Sequence, residues 1–153
     1  MRFLIATGIY PPEIGGPAYY AKNLADALRE KGHTVDIGTF GVLRKLPTGI
    51  RHVALFLRLI PKIARADVVI ALDTFSAAIP ALFAAMLFRK PLIVRTGGDF
   101  VWEQYVERTG DLVPLLLFYE KHKPFSFKEK MYLALTRFLL KRAFIVFSSD
   151  FQK

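Results

Sequence analysis

Two glycine pairs stand where an α/β chain could do chemistry, one in Tyr10-Pro-Pro-Glu-Ile-Gly-Gly-Pro-Ala-Tyr19, the other in Arg95-Thr-Gly-Gly-Asp-Phe-Val-Trp-Glu103. Each follows a short apolar run, which places it at the C-terminal end of an expected strand, the edge where open α/β sheets bind ligands. Gly15 and Gly16 would let an anionic group approach the backbone with no Cβ in the way, and the free N–H groups of the next helix favour negative charge. Two readings stand: the pair cradles a phosphate, or it only makes a tight turn, since the string is neither Gly-x-Gly-x-x-Gly nor a lysine-bearing P-loop. Tyr10 belongs to the same loop as a cleft candidate. Gly98, Asp99, Trp102 and Glu103 belong to the second loop, and Asp99 there reads as a reaction-centre contact or as the cap of a turn. Asp73, Ser148 and Ser149 also end apolar runs and read as cleft groups or as caps.

Other constellations are weaker. His33 follows Gly32 and suits a helix C-terminus, while His52 and His122 sit among basic residues without metal-ligand spacing. With no cysteine in the chain, neither a thiolate metal site nor a disulfide is expected, and a cytoplasmic setting fits. Glu103 and Glu107 are four apart, a spacing that marks a solvated face more often than a glycosidase pair. No serine lies in a Gly-x-Ser-x-Gly context, so a hydrolase is disfavoured.

Hydrophobic spacing names the elements that must hold these residues. Arg2–Thr7 is a β-rich run; beyond the loop Ile9–Gly16, Pro17 suits a first helical position, and Ala21, Leu24, Ala25 and Leu28 share one helix face. Gly32 suits a left-handed cap, and Val35, Ile37 and Thr39 alternate as a second strand. Arg44–Ala66 sets Val53, Phe56, Leu57 and Ile60 at helical spacing between basic residues, with Pro61 as a kink or break. Then come a strand at Asp67–Leu72, a helix at Ser76–Phe88, a strand at Leu92–Thr96, an irregular aromatic and basic stretch, a helix at Lys128–Arg142 and a strand at Ala143–Phe147. This alternation predicts one α/β, Rossmann-like three-layer domain with a mostly parallel sheet. Val68–Phe88 approaches the roughly 20 apolar residues of a membrane span, but Asp73, Pro80 and its ready division into strand and helix argue against that.

The 153 residues are 53% hydrophobic, enough for one sizeable core, and carry a net charge of +9. Met1–Leu43 is balanced, so the whole excess lies in Arg44–Lys153 and favours anionic partners. The basic amphipathic stretches Arg44–Arg65 and Leu112–Arg142 suit either an anionic membrane surface or ordinary core-facing helices with solvated charges. Nucleic acid is not expected, because the charge is tied to no reading motif.

The string Ile9-Tyr-Pro-Pro-Glu-Ile-Gly-Gly-Pro-Ala, followed by Asn23-Leu-Ala-Asp-Ala-Leu-Arg-Glu-Lys-Gly-His-Thr-Val, resembles the opening of family 4 retaining glycosyltransferases. Ala66-Asp-Val-Val-Ile, Lys90-Pro-Leu-Ile-Val and Arg142-Ala-Phe-Ile-Val-Phe-Ser-Ser resemble that family's later strands. The resemblance implies the N-terminal, acceptor-side half of a two-domain GT-B architecture over residues 1–153, with the C-terminal donor-binding domain missing and the chain alone inactive. It implies a nucleoside-diphosphate sugar as donor, held through the backbone at Gly15 and Gly16, a glycan or lipid-linked acceptor, no cofactor, and a cytoplasmic location at the inner membrane face. Asp99 stands where many members place a histidine, and by resemblance contacts a sugar hydroxyl or the reaction centre, with Trp102 and Glu103 supporting the loop or the acceptor. The alternative is a stand-alone Rossmann-like binding module or the membrane-associated subunit of a split transferase.

Overall fold

The central β-rich runs of the chain pair side by side because they are apolar on both faces and must be covered on both. The computed structural model describes residues 1–120 and 125–148. It shows an all-parallel five-stranded sheet in the order β2-β1-β3-β4-β5, built from β1 (Arg2–Thr7), β2 (Thr34–Thr39), β3 (Val68–Ala71), β4 (Leu92–Thr96) and β5 (Phe144–Phe147). The helices are α1 (Gly16–Glu30), α2 (Ile50–Arg65), α3 (Ala78–Leu87), α4 (Phe100–Thr109), α5 (Leu115–Phe118) and α6 (Phe127–Leu140). The expected α/β, Rossmann-like three-layer class is what the structure has.

Alternation along the strands sorts the core into two sides. Leu4, Ala6, Val69, Ala71, Leu92 and Val94 meet Leu55, Leu59 and Ile63 of α2, the small residues of α3, and Leu139 of α6. On the opposite face Ile5, Val35 and Ile70 meet α1 through Ala21 and Ala25. Ala18, Ala21 and Ala25 are fully buried, so nothing longer than a methyl separates this stripe of α1 from its surroundings. A third cluster, Val101, Tyr105, Val113 and Phe118, joins α4 and α5 to α6.

Three expectations are corrected. Pro61 does not end α2, which runs through it to Arg65; the carbonyl it leaves unbonded belongs to Leu57, on the solvent side, where water can take it. The buried face of α2 is Leu55, Leu59 and Ile63, while Val53 and Leu57 are 60% and 58% exposed, so the helix is rotated from the face the spacing suggested. The irregular stretch holds a ten-residue helix, α4, bracketed by Asp99, whose carboxylate accepts from the Trp102 N–H, and by Gly110 at φ 71°. Among the described residues no helix is long and apolar enough to cross a membrane.

Candidate functional site

In the order 2-1-3-4-5 the chain leaves β1 toward one side for β2 and returns to the other side for β3, so the crossover loops part above β1 and β3. Ligands of doubly wound sheets bind in the crevice at such a point. A cleft of about 540 Å³ opens there, lined by Gly16, Pro17 and Tyr20 from the start of α1, Leu72–Phe75 after β3, Arg95, Gly97 and Gly98 at the end of β4, Phe100 and Glu103 of α4, and Ser148 after β5.

The loop after β1 is held by its own acid. Glu13 Oε2 accepts the Tyr10 N–H at 3.2 Å and Oε1 pairs with Arg44 at 2.9 Å, while Arg44 also donates to the Gly8 carbonyl at 2.7 Å. Gly15 then starts α1 with φ 157° and ψ 154°, its carbonyl accepting the N–H groups of Ala18 and Tyr19. A Cβ at Gly15 would come within 2.9 Å of Ile9 Cδ1, whereas one at Gly16 would meet nothing within 4 Å and would project into open space. The two glycines therefore divide the work: Gly15 makes the turn, and Gly16 presents backbone to the cleft.

Across the cleft, Arg95 lies with its guanidinium carbon 4.1 Å from the centroid of the Tyr20 ring. Gly97 lies beside it: a Cβ at that position would sit 3.4 Å from Arg95 NH1, an ordinary contact distance. Arg95 has no carboxylate partner among the described residues. Its charge is held by an aromatic face and left for something else to neutralise.

Two acids line the same cleft and do different things. Asp73 caps α3: its carboxylate accepts N–H bonds from Phe75, Ala77 and Ala78 at 3.0–3.2 Å. Burial raises its carboxyl above the ordinary range, against the pull of those backbone donors. With its oxygens so loaded, Asp73 shapes the loop. Glu103 accepts no such donors among the described residues, and its Oε1 lies over Gly98 so closely that any Cβ there would displace it. Burial first, and the nearby Asp99 second, raise the Glu103 carboxyl above the usual glutamate range.

A raised folded-state carboxyl carries its charge at neutral pH against the preference of the fold. The resulting penalty is absent below the unfolded-state value and grows as pH rises through the folded-state value. Glu103→Gln is therefore expected to melt above the parent at pH 7 and together with it near pH 4. Melting curves across that range check the sign.

The structure thus brings Gly16, Asp73, Gly98, Glu103 and Ser148 together in one cleft. It places four other candidates elsewhere. Tyr10 packs beside the α1-side core, and Gly15 lies behind its neighbour. Trp102 turns away, donating its indole N–H to the Val113 carbonyl at 2.7 Å. Asp99 caps α4 and accepts the Tyr119 hydroxyl at 2.7 Å; burial and that carboxylate push the phenol well up, so it stays a donor. Asp99 lines an adjoining hollow with Leu115, Tyr119 and Leu140, which shares Thr74, Gly98 and Phe100 with the cleft. His122 and Ser149 lie outside the described residues.

No family model matches the chain, and no curated protein matches it. Among solved structures it is similar to a 2-deoxyribosyltransferase from the psychrotolerant bacterium Bacillus psychrosaccharolyticus. Identity is 17% over 88% of this chain and 96% of that one, with a TM-score of 0.41. A likeness so remote transfers no chemistry.

The resemblance to family 4 glycosyltransferases is withdrawn on these findings: neither the family models nor the curated proteins support it. With it go the GT-B half-enzyme, the nucleotide-sugar donor, the glycan or lipid-linked acceptor, the donor-domain partner that it implied, and the split-transferase alternative. The physical reason lies in what the matching residues do. Tyr10, Glu13 and Gly15 build a strand–turn–helix, and Asp99 caps a helix, so the motif is spent largely on local folding.

Arg95 escaped the sequence reading, as did Tyr20 and Phe75. A basic residue one position before the end of an otherwise apolar strand, with two glycines behind it, was the available signal for Arg95.

Proposed function

We propose that the cleft is an enzyme site for a small phosphorylated, hydroxyl-bearing substrate. The backbone at Gly16 and the Arg95 guanidinium hold the phosphate, and Glu103 exchanges a proton with a substrate hydroxyl. The observation that carries this reading is Arg95, an arginine with no carboxylate partner among the described residues, laid over Tyr20 beside the open backbone of Gly16. A guanidinium meets phosphate through paired N–H donors, and the start of a helix adds N–H groups of the same polarity. Glu103, with its carboxyl raised, retains a proton to higher pH than a solvated glutamate, which suits a general acid or base. Asp73 and the Thr96 hydroxyl, which donates to the Gly98 carbonyl at 2.8 Å, fix the two loops around the substrate.

Titration calorimetry with inorganic pyrophosphate and with ribose 5-phosphate tests this. Both should bind the parent, and Arg95→Met should weaken them by about 10- to 100-fold, the worth of one charge-assisted contact of roughly 1.5–3 kcal/mol. Absence of binding to the parent, or equal binding to Arg95→Met, would overturn the assignment.

A further inference from the structure

A second cavity, of about 750 Å³, lies between the start of α2, α4 and the start of α6. Its floor is aromatic: the Phe75 and Phe100 rings stack at 4.6 Å, and Tyr132 meets them edge-on at 4.7 and 5.3 Å. Its rim is cationic, with Arg51, Arg108 and Lys128. The carboxylate on that rim, Glu129, is already committed: Oε1 and Oε2 take Arg108 Nε and NH2 at 2.8 and 2.9 Å, and Oε2 also accepts the Ser126 N–H at 2.7 Å.

Arg51 is the feature that asks for a partner. It lines the cavity and pairs with no carboxylate among the described residues. The first turn of α2 supplies none either: it holds no acidic residue and has no side-chain cap. The neighbouring His52 is pushed down by burial and then by Arg51, so it stays neutral and accommodates the positive field. The volume falls within the roughly 300–1,000 Å³ of organic ligand sites and far exceeds a bare inorganic anion.

We infer that this cavity is a second ligand site, separate from the cleft above the sheet, for an organic anion: one terminal anionic group held at Arg51 and Lys128, carried on an aromatic or branched apolar body seated on Phe75, Phe100 and Tyr132. It shares only those two phenylalanines with the first cleft.

The test uses 1-anilinonaphthalene-8-sulfonate, an aryl sulfonate whose fluorescence rises on apolar contact, titrated into the whole chain with saturating pyrophosphate present. Saturable one-to-one binding is expected, weakened about tenfold in Arg51→Met, in line with loss of one charge-assisted contact, and unchanged in Arg65→Met at the far end of α2. Neutral N-phenyl-1-naphthylamine, which lacks the sulfonate, should bind the parent and Arg51→Met alike. Should Arg51→Met not fold by circular dichroism, the exposed Lys128→Met replaces it, with a several-fold loss expected. No saturable binding, displacement by pyrophosphate, or equal affinity in parent and variant would each overturn the inference.

Discussion

Glu129→Ala is expected to lower stability by about 3 kcal/mol, or roughly 6–12 °C in melting temperature for a domain of this size. Glu129 is 2% exposed and is the third residue of α6, where it closes a reciprocal cap: the Ser126 hydroxyl accepts the Glu129 N–H and the Glu129 carboxylate accepts the Ser126 N–H. The same carboxylate binds Arg108 with two parallel bonds and so ties α4 to α6. Alanine leaves the Ser126 N–H unmet and removes both Glu129 bonds from the Arg108 fork at once. The figure stays below that of a fully buried pair because Arg108 is half in solvent. Glu129→Gln preserves the cap, since an amide oxygen still accepts, and should cost about half as much. Burial alone would raise the Glu129 carboxyl, but Arg108 and Ser126 hold it below the ordinary range. Its contribution is therefore full above the unfolded-state value and disappears as pH falls through the lowered one. Urea unfolding of the three proteins at pH 7 and pH 3 checks both the ranking and its loss in acid.

Gly16→Val is expected to abolish pyrophosphate binding, a fall of at least about 100-fold, while leaving the fold standing. A Cβ there meets no atom within 4 Å, so the isopropyl group fills the cleft and not the core. Gly15→Ala should do the reverse. The backbone at φ 157°, ψ 154° belongs to a region that residues with a Cβ rarely adopt, and the added methyl meets Ile9. A loss of about 1–3 kcal/mol is expected there, with ligand affinity retained in the folded fraction. Calorimetry and thermal melting of the two variants separate a site residue from a turn residue one position away. Equal loss of binding in both, with equal destabilisation, would sink the distinction.

Much of the layer order was legible because it rests on local signals. The short apolar runs at Arg2–Thr7 and Leu92–Thr96, the alternation of Val35, Ile37 and Thr39, Pro17 inside the first turn of α1 and Gly32 after it are each local signals that need no tertiary partner. What the spacing missed depends on partners far away in sequence. The buried stripe of α2 was decided by α3 and the sheet; an apolar-rich helix offers more than one stripe, and only packing selects Leu55, Leu59 and Ile63. Helix α4 carried its own caps, Asp99 and Gly110, yet these were read as chemistry and loop because an aspartate at a strand end serves either purpose. The cleft was placed at the right edge of the sheet, and Glu103 was singled out. Arg95 was not, since its meaning comes from lying over a tyrosine 75 residues earlier, a relation no local window contains.

The methyl-thin stripe of α1 sets a tolerance as well as a contact. Because Ala18, Ala21 and Ala25 are fully buried, with Leu24 and Leu28 packing only beside them, the first turn of α1 rests on a stripe of methyl groups with little room to shift. The N–H groups beyond Gly16 are thus prepositioned, and a ligand arriving there finds the geometry already set when the chain folded. Lengthening one alanine by a single carbon would lift that turn, detuning recognition from the opposite side of the helix without touching any residue of the cleft.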